Sequence, residues 1–81
     1  MPPVIRSPKS FGQALRRARR AAGLTQAELG ARTQLRQATI SNLENGEGAT
    51  LETVFAVLTT LKLDITLSDR AADTPALDDI F

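Results

Sequence analysis

Between residues 10 and 62 the signals that start and stop helices follow one another so closely that no long element fits between them. Two runs have capping-box spacing, Ser10-Phe11-Gly12-Gln13 and Thr25-Gln26-Ala27-Glu28, each with a hydroxyl at the N-cap and an amide or carboxylate three residues on. Gly23 and the pair Asn45-Gly46 are stop signals, and Thr50 is a further N-cap ahead of Leu51. Helices this short do not persist alone in water, so each must be held by packing its apolar face against the others. A chain punctuated in this way is expected to form a compact, all-α bundle of four short helices.

The helical period assigns the faces. In the first helix Phe11, Ala14, Leu15, Ala18 and Ala22 share a side, with Arg16, Arg17 and Arg20 opposite. Arg19 falls at the border of the apolar side, beside Leu15, where an unpaired guanidinium would be costly, so an acidic partner is expected. The second helix, from Thr25 to about Arg32, buries Ala27 and Leu29. Its Gly30 costs roughly 1 kcal/mol of helix propensity relative to alanine, which a close helix crossing would explain. The third, about Arg36 to Glu44, buries Ile40 and Leu43 and turns Arg36, Gln37, Ser41 and Asn42 outward. The fourth carries Leu51, Val54, Phe55, Val57, Leu58 and Leu61, a stripe wider than one neighbour requires, so part of it is expected to face another subunit.

Beyond the helices, Leu63-Asp64-Ile65-Thr66-Leu67-Ser68 alternates apolar and polar residues with the period of a half-buried strand. A lone strand leaves its backbone groups unpaired, and its readiest partner is its own copy across a twofold axis, through Leu63, Ile65 and Leu67. The expected organisation is a flexible arm at 1–9, a helical domain at 10–62, a dimerisation strand at 63–69 and a flexible acidic tail at 70–81. At 81 residues the core of one subunit is small, which also favours association.

Composition narrows the function. The chain has no cysteine and no histidine, hence no thiolate nucleophile, no imidazole base and none of the usual zinc ligands. The remaining carboxylates lie on separate elements without a base or metal partner, so neither an enzyme nor a cofactor is expected. No apolar run approaches the ~20 residues of a membrane span, and a cytoplasmic protein is expected. The charges are segregated: residues 1–46 hold eight basic and two acidic side chains, a balance of +6, and residues 47–81 hold two basic and seven acidic ones, a balance of −5. A basic half suits a polyanion. The start of the third helix suits the same partner: Arg36 has the donor fork for O6 and N7 of guanine, Gln37 the amide for N6 and N7 of adenine, and Ala38 fits against a thymine methyl, with Ser41 and Asn42 in reach of bases or backbone. Thr25, Gln26 and the N–H groups of the second helix, together with Asn45, present donors to phosphate.

The runs GLTQAEL at 23–29, ATISNLENG at 38–46 and LETVFAVLTTL at 51–61 together resemble the phage-repressor-like helix-turn-helix family, the XRE or Cro/C1 type, over about residues 10–62. Members commonly pair an arginine of the first helix with the glutamate of the ENG motif, which implies that Arg19 pairs with Glu44. The resemblance implies a lambda-repressor-like fold, a palindromic operator in double-stranded DNA, and phosphate binding by Gln26. Within that family SPKSFGQALRRAR, RQATISNLENG and LDITLSD are similar to HipB-type antitoxins, over about residues 7–69. That likeness implies a homodimer, autoregulation of its own operon and a HipA-type kinase toxin as partner, with Asp78, Asp79, Ile80 and Phe81 as a toxin-binding tail. The chain departs from the family pattern at Gln34, usually glycine, at Thr33, usually apolar, and at Arg36, often a serine or threonine N-cap. Two other functions fit parts of the sequence. One is a solitary phage-type or restriction-modification-controller-type repressor, which needs neither strand nor tail; the other is a protein-interaction module without DNA binding, against which Gln26, Arg36, Gln37 and Asn45 argue.

Overall fold

The computed structural model describes residues 4–70, which form four helices: α1 Pro8–Ala21, α2 Gln26–Thr33, α3 Gln37–Glu44 and α4 Leu51–Thr60. The segment 78–81 lies outside the described residues. α3 is the centre of the arrangement, packed against both α1 and α2, while α4 packs on α2. Between them Leu15, Leu24, Leu29, Ile40, Leu43, Val54, Val57 and Leu58 form one buried cluster, flanked by Phe11, Leu35 and Leu61. Ala22 and Ala27, expected inside, are exposed: Ala22 is the C-cap of α1, and Ala27 lies on the solvent side of α2, whose burial is carried by Leu29 and Gly30.

α1 opens earlier than the Ser10 cap implies. Ser7 is its N-cap, and Ser7 and Ser10 form a reciprocal capping box in which the Ser10 N–H donates to Ser7 Oγ at 3.1 Å and the Ser7 N–H to Ser10 Oγ at 3.2 Å. Pro8 stands at the first helical position, where its fixed φ fits and its missing N–H is no loss. Serine at the third position replaces the longer glutamate or glutamine of the usual box, which is why the Ser10-Gln13 spacing attracted the assignment instead.

Every helix ends in the same way. The residue after the C-terminal turn takes a left-handed conformation, at Gly23 (φ 74°), Gln34 (60°), Gly46 (82°) and Lys62 (59°). The next N–H reaches back five residues, from Leu24 to Arg19, Leu35 to Gly30, Glu47 to Asn42 and Leu63 to Leu58, at 2.8–3.1 Å. The helix-turn-helix connector is therefore the ordinary left-handed one, built on glutamine in place of glycine. Gly30 is explained by that connector and not by a helix crossing: a Cβ there would stand 2.7 Å from the Leu35 carbonyl oxygen. The close crossing is at Gly12, where a Cβ would run into the carbonyl oxygens of Leu43 and Glu44, so that α1 rests directly on the end of α3.

Residues 63–70 carry no strand in the single chain, and the expected β-strand is absent from the described residues. A ladder needs a second strand, and the described residues offer none. Leu63, Ile65 and Leu67 are exposed, Leu67 at 92%, and Leu51 and Phe55, one turn apart on α4, are also open to solvent. An open groove of about 410 Å³, lined by residues that include Ile5, Phe11, Leu51, Val54 and Ile65, joins the two apolar segments.

Gly12→Ala is expected to lower unfolding stability by about 1–3 kcal/mol, because α1 must lift off α3 to admit the methyl. Gln34→Gly is expected to raise it by about 0.5–1 kcal/mol, the relief of left-handed strain exceeding the added freedom of the unfolded chain. Urea unfolding of the two variants measures both.

Candidate nucleic-acid interface

The site is organised by a carboxylate. Glu44, the last residue of α3, and Arg19, in the final turn of α1, are 6% and 7% exposed. Arg19 Nε donates to Glu44 Oε2 at 2.6 Å and Nη2 to Oε1 at 3.1 Å, while Nη1 donates to the Leu24 carbonyl at 2.8 Å. The acidic partner expected for Arg19 is therefore Glu44, and the guanidinium sits deeper than the border position given by the helical wheel. Gln26 Nε2 donates to Glu44 Oε1 at 3.1 Å, so one side chain from α1, one from α2 and one from α3 meet at a single carboxylate. No buried side-chain nitrogen or oxygen among the described residues lacks a partner. Burial pushes the Glu44 carboxyl upward, but its bonds with Arg19 and Gln26 and the charges of Arg19 and Arg16 outweigh this and hold it below 4.5. The bond with Glu44 raises Arg19 above its ordinary value despite desolvation.

Around this hub stand the groups expected to meet nucleic acid. Thr25 is the N-cap of α2: its Oγ1 accepts the Glu28 N–H at 3.1 Å, and its own N–H donates to Glu28 Oε1 at 2.9 Å. That leaves the N–H groups of Gln26 and Ala27 without an intrahelical acceptor, at the positive end of the helix dipole. Gln26 is partly buried by its bond to Glu44, and Asn45, next along the chain, is exposed as the C-cap of α3. Thr25, Gln26 and Asn45 are thus brought together where the start of α2 meets the end of α3.

The other group lies at the opposite end of α3, about 12 Å away for an eight-residue helix. Arg36, Gln37 and Ala38 are all exposed, and Asn42 is exposed and Ser41 half-buried further along. Arg36 is the N-cap of α3 in backbone terms, but its side chain caps nothing. Its guanidinium also has no ion-pair partner among the described residues and is available to a ligand. The residues expected to read bases thus lie at one end of α3 and those expected to bind phosphate at the other. Sequence reasoning did not find the bond between Gln26 and Glu44, because nothing in their spacing of 18 residues announces it. Gly12 was also missed, although its place on the Leu15–Arg19 side of α1 is a signal for a close approach.

Fold and face together define a helix-turn-helix protein, and the family model described as Helix-turn-helix matches residues 15–67. Antitoxin HipB of Escherichia coli strain K12 is 40% identical over 72 residues, covering 88% of this chain and 82% of the relative, and Antitoxin HipB of strain CFT073 is 39% identical over the same length. The chain belongs to the HipB antitoxin branch of the helix-turn-helix family. Among solved structures, the HipB chain of a HipB-O4 20mer complex superposes with a TM-score of 0.76 at 41% identity, over 83% of this chain and 96% of that one. The corresponding chain of a HipA-HipB-O2-O3 complex gives 0.75 at the same identity and coverage. The restriction-modification controller protein C.AhdI of Aeromonas hydrophila gives 0.67 at 29% identity, over 70% of this chain and 84% of that one.

Removing either member of the buried pair, as Arg19→Ala or Glu44→Ala, is expected to cost about 3–5 kcal/mol, read by thermal melting. A melt equal to that of the unaltered chain would refute this assignment. Because the folded-state value of Glu44 is depressed, its contribution is complete above about pH 4.5, the ordinary carboxyl value, and is lost as the pH falls through the lower folded value. Arg19 stays charged throughout, so acid unfolding followed by circular dichroism should begin below that pH.

Proposed function

We propose that this chain is a homodimeric, sequence-specific DNA-binding repressor that serves as an antitoxin, controlling its own operon and binding a HipA-type kinase toxin. The observation that carries the DNA-binding part is the exposed start of α3, where Arg36 leaves its guanidinium free of both capping and ion pairing beside Gln37 and Ala38. Arg36 and Gln37 read base edges, Ala38 allows close approach, Ser41 and Asn42 touch base or backbone, and Thr25, Gln26 and Asn45 fix the register on phosphate. The relatives' HipB-O4 20mer and HipA-HipB-O2-O3 complexes support both kinds of partner.

The dimer is proposed to form through Leu63, Ile65 and Leu67, with Leu51 and Phe55 of α4 covered at the same time. Exposure of these five side chains in the single chain supports that reading. A twofold dimer implies a palindromic operator whose half-sites stand one helical turn, about 10 bp, or a multiple apart. No described helix is long and apolar enough to cross a membrane, which accords with the proposed cytoplasmic setting. The proposed toxin contact at Asp78, Asp79, Ile80 and Phe81 follows from the likeness to HipB-type antitoxins. Similarity to the controller protein favours a second reading, a repressor without a toxin.

Affinity for a duplex from upstream of its own coding region should fall steeply with salt, as phosphate-bound counterions are released. Arg36→Ala should weaken that complex by about 1–3 kcal/mol and leave binding to random duplex much less affected. Ile65→Asp should shift the protein to monomer in sedimentation. Co-expression with a HipA-type kinase separates the two readings: co-purification supports the antitoxin, and its failure leaves the stand-alone repressor.

A further inference from the structure

We propose that Glu44 is a positioning residue for phosphate recognition, acting through its hydrogen bond to Gln26, so that the buried ion pair and the DNA contact are one device. The inference rests on the DNA-binding reading given above. Gln26 is the first residue of α2, and its side chain ends in a group whose two sides have opposite chemistry, an acceptor oxygen and a nitrogen with two N–H donors. The two sides are nearly the same size, so neighbours decide which way such an amide faces. A phosphate oxygen only accepts, and so does a carboxylate.

Glu44 Oε1 therefore dictates that the nitrogen of Gln26, and not its oxygen, lies at the junction of α2 and α3, and the 3.1 Å bond has that sense. One N–H is engaged by Glu44. The other has no acceptor among the described residues, and a phosphate seated at the start of α2 can take it together with the free backbone N–H groups of Gln26 and Ala27. Holding the amide in advance also removes much of the rotamer freedom that a free glutamine loses on binding.

A bare carboxylate next to a phosphate would repel it. Arg19 prevents this by engaging both oxygens of Glu44, with Nε on Oε2 and Nη2 on Oε1. Arg16, one turn before Arg19 on α1, adds a second positive charge that Glu44 feels. The hub thus presents no net negative charge to a polyanion while still offering Gln26 an oxygen that can only accept. Glu44 does not touch DNA in this scheme; its effect passes wholly through Gln26.

A double-mutant cycle tests this, using fluorescence anisotropy with a short random-sequence duplex at low salt, because a phosphate contact is independent of sequence. Gln26→Ala and Glu44→Gln are each expected to weaken binding roughly threefold to tenfold, the equivalent of one hydrogen bond, and the double variant should bind no more weakly than Gln26→Ala alone. Losses that multiply in the double variant overturn the proposal while leaving DNA binding intact. Absence of duplex binding by the unaltered chain overturns the DNA-binding reading and this proposal with it. Should Glu44→Gln fail to fold in a thermal melt, side-chain amide NMR of the unaltered chain decides the matter. At neutral pH, where the fold is intact, the Gln26 resonances should stand apart from those of Gln13, Gln34 and Gln37. Resonances that coincide with the other three overturn it.

Discussion

A guanidinium and a carboxylate taken out of water together must find every hydrogen bond they lose, and in this protein that requirement fixes how three helices meet. Arg19 comes from α1, Glu44 closes α3, and the remaining acceptor and donor come from Leu24 and Gln26 on either side of the α2 start. An isolated pair in such a setting contributes little net stability, because desolvation offsets attraction. Its value is in specifying one arrangement: slide α3 by a residue and the bidentate fit and the Gln26 amide are lost together. The apolar cluster of Leu15, Leu29, Ile40 and Val57 drives collapse, and the ion pair selects the collapsed state that places α2 and α3 correctly.

Close backbone approach is what allows that selection. With no side chain at Gly12, α1 reaches the carbonyls of Leu43 and Glu44, which brings Arg19, two turns further along, within reach of the carboxylate. Gly46 performs a similar service: its left-handed φ ends α3, and a Cβ there would press on Lys9 at the start of α1. Where the chain turns without such crowding, other residues suffice. Gln34 and Lys62 accept left-handed conformations at the ends of α2 and α4, with some strain.

Much of this was legible before any coordinates. Helix stops at Gly23 and Asn45-Gly46, the N-caps at Thr25 and Thr50 and the apolar periods of α3 and α4 are local signals, and local signals survive in a sequence. The pairing of Arg19 with an acid followed from the cost of burying a bare charge, and the identity of the acid from family likeness. What the sequence withheld was pairwise and distant. Gly12 has meaning only once α3 lies across it, and Gln26 looks like a solvent-facing helix start until Glu44 is placed beside it. The strand expected at 63–69 is a different case: alternation gives the period of a half-buried ribbon, but the described residues hold no second strand to complete a ladder. Among the candidate interface residues, exposure of Arg36, Gln37 and Asn42 followed directly from the buried phase of Ile40 and Leu43, whereas Ser41, turned outward by the same reading, is half-buried.

Arg36 stands where a serine or threonine would ordinarily close the start of a helix, and α3 forms without that closure because Ile40, Leu43 and Glu44 anchor it from the inside. Its side chain therefore caps nothing, and another non-capping residue in its place removes no hydrogen bond from the fold. That separation frees the position to drift. With Arg36 reading bases as proposed, a repressor arranged in this way can acquire a new operator preference by a single exchange at the head of α3. Duplicated copies in one genome could then become insulated from one another while keeping an identical core.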